Sequence, residues 1–283
     1  MSPREVQSVH PARRDDIGDL VTRRPVPGPG LEQVDPFLFL NHHGPQTYPP
    51  NNSGLPFGPH PHRGFETVTF ILDGNLMHRD TGGGESVVEA GGVQWMTAGR
   101  GLVHAELSPE SFRREGGPLE ILQLWVNLPS RLKMTEPNYV GVAAVDIPEL
   151  ELAEGATVRP ISGREGAPVA SLTGVMLATV ELQPGASVNL PAPAGRSVLF
   201  YTVRGHCRIG DSDVPEYHLA KLGEGGGVQV TSESGCLILF GHADPIGEPV
   251  FAHGPFVMNT REEIMQAVQD YRRGAFGDPA AIA

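Results

Sequence analysis

HPHRGFETVTFILDG (residues 60–74) and GGVQWMTAGRGLVHAE (residues 91–106) are the stretches that decide how this chain folds. His60 and His62 are two residues apart, and so are His104 and Glu106. Alternate side chains of an extended strand leave the same face, so each pair points one way. Two such pairs facing each other across a small β-barrel offer four donors, three nitrogen and one oxygen, to one cation. Imidazole with carboxylate suits iron, nickel, copper, zinc or manganese better than calcium or magnesium. Glu66 shares the parity of His60 and His62, so it can also turn inward. The residues alone leave Glu66 and Glu106 as alternative carboxylates.

Outward from this segment the chain reads as strands and turns. FETVTFIL (65–72) is β-branched and aromatic, and Asp73–Gly74 closes it as a hairpin signal. VDPFLFLNHHG (34–44) reads as a short strand closing on a turn, with His42 and His43 as solvated turn residues. PLEILQLWVNLP (118–129) has one apolar face (Leu122, Leu124, Val126, Leu128) and one mixed face that carries Gln123 and Trp125. EPNYVGVAAVDIPELELAEG (136–155) looks like a crossover, and a second set of strand candidates follows it. GGVQW (91–95) is echoed by GGVQV (226–230), as expected for two copies of one small barrel. In the aligned register His60 and His62 fall on Pro191 and Pro193, and Glu66 on Ser197, so the second copy has lost the ligands. NTREEIMQAVQDYRRGAFG (259–277) reads as a helix. Asn259 or Thr260 caps it, Glu262 or Glu263 supplies the capping-box acid, and Ile264, Ala267, Val268 and Tyr271 form its apolar stripe. The expected architecture is all-β: two antiparallel β-barrels in tandem, a metal-binding one over 1–140 and a degenerate one over 141–283, the latter ending in the helix.

Composition bounds the function. The chain has 283 residues and a formal net charge of -12. An acidic balance without a basic run argues against direct nucleic-acid binding, which depends on lysine and arginine. Cys207 and Cys236 are the only cysteines. They are no disulfide framework, and we read them as reduced, buried thiols. The first 30 residues hold no apolar h-region, and no apolar run approaches the ~20 residues of a membrane span. A cytoplasmic protein without a membrane segment is expected.

With these residues in view, the sequence resembles the pirin family of the cupin superfamily. The likeness runs through VDPFLFLNHHG, HPHRGFETVTFILDG, HRD (78–80), GGVQWMTAGRGLVHAE, LQLWVNLP and HGPFVMNTREEI. It covers most of 34–129 and 245–277, and is weaker over 146–240. The resemblance implies two cupin barrels, the first holding one metal per chain, usually iron, with other divalent first-row metals as alternatives. It also implies the ligands His60, His62, His104 and Glu106. The general cupin pattern would place Glu66 in the carboxylate position, whereas the pirin pattern uses His104-Ala105-Glu106. Glu106 is therefore the expected ligand, and Glu66 a hydrogen-bond acceptor for an imidazole or a rim residue.

The resemblance further implies an iron-dependent dioxygenase of the quercetin 2,3-dioxygenase type, acting on a flat aromatic flavonol. In that chemistry the flavonol 3-hydroxyl loses its proton, dioxygen attacks, the heterocycle opens and carbon monoxide leaves. Glu106 would then be both ligand and catalytic proton acceptor. His78, Gln123 and Trp125 are the further candidates for facing the cavity. The alternative from a different class is a redox-responsive regulator that uses its iron state to engage a partner protein, since pirins also act as transcriptional co-regulators.

Overall fold

Short apolar segments alternating with turns build antiparallel sheets. The computed structural model, which describes residues 2–283, carries two sets of them. One unit comprises Arg14–Arg23, Phe39–Ala144 and Ile246–Ala283; the other comprises Met1–Arg13, Arg24–Leu38 and Val145–Pro245. Contacts thus divide the chain differently from a single cut at residue 140. Asn138–Val142 pairs with Val93–Thr97, so the first unit keeps the chain past that point. Val6–Pro11 pairs with His218–Leu222, so the chain start belongs with the later strands.

In the unit built on Phe39–Ala144, one sheet runs in the order Phe57–His62, Leu102–Leu107, Asn75–Asp80, Glu85–Glu89. A second runs through Asn138–Val142, Val93–Thr97, Phe65–Asp73 and Gly117–Asn127. The first register sets His104 opposite His60, and Glu106 opposite His78. The second sets Gln123 opposite Thr69. Leu122, Leu124, Val126 and Leu128 form the fully buried face that the alternation predicts. Phe37–Tyr48 is one strand that does not stop at Gly44, which corrects the turn expected there. His42 and His43 are consequently buried rather than solvated: His42 Nε2 lies 2.8 Å from Glu120 Oε1, and His43 Nδ1 lies 2.9 Å from Thr22 Oγ1.

The other unit is a ten-stranded sheet organised around the long strand Ser197–Ile209. That strand pairs with Cys236–Ala243, His218–Leu222, Ser212–Pro215 and Gly227–Thr231. Val158, Val180, Phe200, Ile238 and Phe240 are among the side chains of its apolar core. No helix among the described residues is long and apolar enough to cross a membrane.

The terminal helix spans Arg261–Arg272. Thr260 Oγ1 accepts from the Glu263 amide, and the Glu263 carboxylate accepts from the Thr260 amide, completing the expected capping box. Ile264 and Ala267 pack with Val103, Phe256, Met258, Phe276 and Ile282. The helix therefore belongs with the metal-ligand unit and not with the second barrel. Apolar periodicity shows that a helix has a buried face but not which surface covers it. Ile264→Ala should cost roughly 2–4 kcal/mol, the range for truncating a buried aliphatic side chain. Urea unfolding checks this, and an unchanged midpoint would mean that the helix is not docked.

Candidate metal centre

Three imidazoles converge where the sheet registers bring their strands together. One ligand atom from each of His60, His62 and His104 lies within 4.8 Å of the others. His62 and His104 are buried, and His60 is half-buried at the edge of the group. Nε2 of His60 and Nε2 of His104 stand 2.9 Å apart. Two imidazole nitrogens bound at right angles to one ion at about 2.1 Å would lie about 3 Å apart, so the spacing fits a shared first-row metal.

The far side of two rings is fixed by backbone. His60 Nδ1 lies 2.8 Å from the Gly58 carbonyl oxygen, and His62 Nδ1 lies 3.3 Å from that of Pro255. A carbonyl only accepts, so the proton sits on Nδ1 and each Nε2 turns a lone pair to the centre. His104 Nδ1 is buried without a hydrogen-bond partner. Burial pushes the His62 imidazolium down to about 3, helped by the neighbouring His60. Burial also holds His104 well below its ordinary value, with His62, His60 and His78 adding to the effect. Both rings are neutral at pH 7, the form that ligates a metal.

The expected fourth ligand stands apart from this trio. Glu106 is buried on the same strand face as His104, but the converging group consists of the three histidines. Its carboxylate is tethered elsewhere: Thr69 Oγ1 donates to Oε1 at 3.2 Å, and Gln123 Nε2 donates to Oε2 at 2.6 Å. Gln123 thus faces the site. Trp125 does too, with its ring centroid 5.4 Å from that of His62 and 4.4 Å from that of Phe65. Phe39 continues the aromatic wall at 4.7 Å from Trp125.

Glu66 does not serve an imidazole. It lies on the opposite face of its strand from Thr69, and its Oε1 accepts from Trp95 Nε1 at 3.0 Å and from Thr97 Oγ1 at 2.7 Å. Burial raises its pKa above the ordinary carboxylate value. Parity within one strand was a poor guide because the ligand histidines sit on a different strand, across the Arg63–Gly64 turn.

His78 is brought to the site, with its ring centroid 5.4 Å from that of His104. Its Nε2 donates to Asp80 Oδ2 at 2.7 Å, and Tyr139 stacks on it at 3.8 Å with rings 4° from parallel. Burial opposes charge on Asp80, but hydrogen bonds from His78 and the amides of Gly84 and Gly82 outweigh it and hold the carboxyl below its ordinary value.

Sequence reasoning missed three contributors. Thr69, polar in an apolar strand and opposite Gln123, was the readable one. Pro255 acts through its carbonyl, which no side-chain pattern reveals. Arg63 follows His62 directly and is 5% exposed. Its Nε donates to the Arg100 carbonyl at 2.6 Å, its Nη1 pairs with Asp270 of the terminal helix at 2.8 Å, and its guanidinium lies over Phe276.

The neutral histidines make stability pH-dependent. Between about 6.5, the ordinary histidine value, and about 3, the folded value of His62, the unfolded chain binds protons that the folded chain refuses. Stability of the metal-free protein should therefore fall as pH drops through that window. Melting temperatures at stepped pH, compared with those of His62→Gln, check this: the variant should show a shallower slope.

The chain resembles known proteins along its length. Residues 19–126 match the family model described as Pirin, and residues 177–277 match the Pirin C-terminal cupin domain. Human pirin is 39% identical over 269 residues, covering 90% of this chain and 87% of its own. A tomato pirin-like protein is 39% identical over 285 residues, covering 97% and 94%. The crystal structure of quercetin 2,3-dioxygenase from Acinetobacter baumannii superposes with a TM-score of 0.91 at 33% identity, covering 98% of this chain and 100% of that one.

Proposed function

The chain belongs to the pirin family of the cupin superfamily, and on that premise we propose that it is an iron-dependent dioxygenase that opens flavonols. The observation that carries the reading is the trio of imidazoles at ligand spacing beside an aromatic wall. The A. baumannii quercetin 2,3-dioxygenase, with the same fold over the whole chain, supports the substrate class. Iron, one ion per chain, is the metal we assign, with His60, His62, His104 and Glu106 to hold it. Bound there, it would supply a Lewis acid for the flavonol 3-hydroxyl and a redox partner for dioxygen.

The remaining work falls to the chain's own groups. Glu106 accepts the 3-hydroxyl proton at a carboxylate oxygen, and Thr69 and Gln123 hold that carboxylate in position. Trp125 and Phe39, both partly exposed, give a flat ligand an apolar surface to lie against, with the buried Phe65 packed behind Trp125. Burial of His62 and His104 keeps bulk water from the donor nitrogens. Asp80 orients His78 beside His104, so that polar ring holds one position.

The test is loss of flavonol absorbance in air by the Fe(II)-loaded protein, with metal content measured alongside. His104→Ala should lower bound iron and abolish turnover while the fold persists. Gln123→Ala should retain iron and slow turnover about 10–100-fold, as removal of a ligand-orienting partner does. A fully iron-loaded wild type inert towards a series of flavonols would sink the enzyme reading. It would turn attention to an iron-dependent regulator of a protein partner.

A further inference from the structure

The second unit holds the chain's two cysteines side by side in its core. Cys207 lies on Ser197–Ile209, and Cys236 opens the neighbouring strand Cys236–Ala243. Cys236 pairs with Gly205, two residues before Cys207, so the two side chains leave one sheet face as diagonal neighbours. Gly205 has φ +78°, and a Cβ there would lie 2.3 Å from the Gly235 carbonyl oxygen, so glycine permits the close approach of the two strands. Both thiols are free.

The two thiols are not equivalent. Cys207 is fully buried, with its Sγ 3.4 Å from Thr202 Oγ1 and 3.6 Å from the Val214 carbonyl oxygen. The neighbouring Cys236 and its own burial push its thiol well up. Cys236 is 7% exposed. It lines a surface depression of about 420 Å³, together with Pro184, Arg204, Gly205 and Gly235. The neighbouring Cys207 holds its thiol below the ordinary value. A partly accessible thiol with a lowered pKa is the reactive kind, and an enclosed one is not.

We propose that Cys236 and Cys207 form a redox-active dithiol, in which a hydroperoxide reaches Cys236 through the depression and Cys207 then closes a reversible disulfide. In the first step the Cys236 thiolate attacks the peroxide: an S–O bond forms, the O–O bond breaks, and the leaving oxygen departs as water or an alcohol after taking a proton. In the second step Cys207 attacks the sulfenic sulfur: the S–S bond forms, the S–O bond breaks, and water leaves with the Cys207 proton. Two thiols are oxidised by two electrons, and one peroxide is reduced. Diagonal strand neighbours stand about 7–8 Å apart at Cα, wider than the ~5.5–6 Å of a relaxed disulfide. The bridge is therefore strained, which makes it easy to reduce again. Closing it draws the two strands about 1–2.5 Å nearer at these positions.

Two cysteines serving only as small apolar fillers would be inert, and the experiment separates the readings. The full-length protein is treated with one equivalent of hydrogen peroxide, and thiols are counted after denaturation. Both should disappear together, peptide mapping should find residue 207 linked to residue 236, and dithiothreitol should restore both. Cys207→Ser should stop at a sulfenic acid on Cys236 that a dimedone-type probe captures. Cys236→Ser should slow oxidation of Cys207 at least about tenfold, since the enclosed thiol has no route to oxidant. Two thiols still titratable after peroxide would overturn the proposal. So would Cys236 advancing alone to a sulfinic acid while Cys207 stays free. The mapping uses the wild type, so a variant that fails to fold leaves the answer intact.

Discussion

The close approach of the 255–258 segment to the turn after His62 is the contact on which the arrangement of the candidate metal centre depends. Gly64, at φ +90°, sits so near this segment that a Cβ would lie 2.0 Å from the Val257 carbonyl oxygen. Around that meeting point four polar ties converge. Pro255 accepts from His62 Nδ1. The Val257 amide donates to the Arg63 carbonyl at 3.0 Å, and the Arg63 amide donates to that of Pro255 at 3.4 Å. The buried Lys133 donates to the carbonyls of Gly64 and Val257 and to Asn127 Oδ1. Arg63 reaches Asp270. Burial lowers the Lys133 ammonium to about 8, so at pH 7 it remains a charged staple with three acceptors. A buried charge is tolerable only when it is satisfied this fully, and removing one partner leaves the others uncompensated.

This junction explains why the terminal helix is more than a structural tail. Its Asp270 neutralises Arg63, and Pro255, in the turn before Phe256–Met258, fixes the tautomer of His62. The helix itself was legible in its cap and stripe. Its placement was not, because Ile264 and Ala267 specify an apolar partner without saying which surface supplies it. The three histidines were legible for the reason that makes them work: residues two apart share a strand face. The same logic misplaced Glu66, since parity carries across residues of one strand and fails across the Arg63–Gly64 turn. His42 and His43 were misread because a Gly-Pro pair suggested a turn, whereas the strand continues to Tyr48 and buries both rings.

Glu66 and Glu106 show how environment assigns roles to one side-chain type. Each is almost wholly buried; Glu66 accepts hydrogen bonds from the adjacent strand Val93–Thr97, and Glu106 from two strands of the other sheet. Glu66 receives both on one oxygen, and its other oxygen has no partner. Burial then dominates and disfavours its charge. Glu106 divides its donors between two oxygens and faces the imidazoles. Thr69 and Gln123 thereby hold the Glu106 carboxylate in one orientation.

The two barrels share an architecture, and the inward-facing residues set what each interior does. Around the first site, Thr69, Glu106, Gln123 and His104 put polar atoms where a barrel would otherwise close on itself. In the other unit, Val180, Phe200, Ile238 and Phe240 meet in an apolar core that also encloses Cys207. Filling the interior with aliphatic and aromatic side chains releases that barrel from the cost of desolvating a polar site. It also makes a reactive group possible only near the edge, where Cys236 lines a depression open to solvent. One fold therefore carries buried polar side chains in one copy and a closed apolar core in the other.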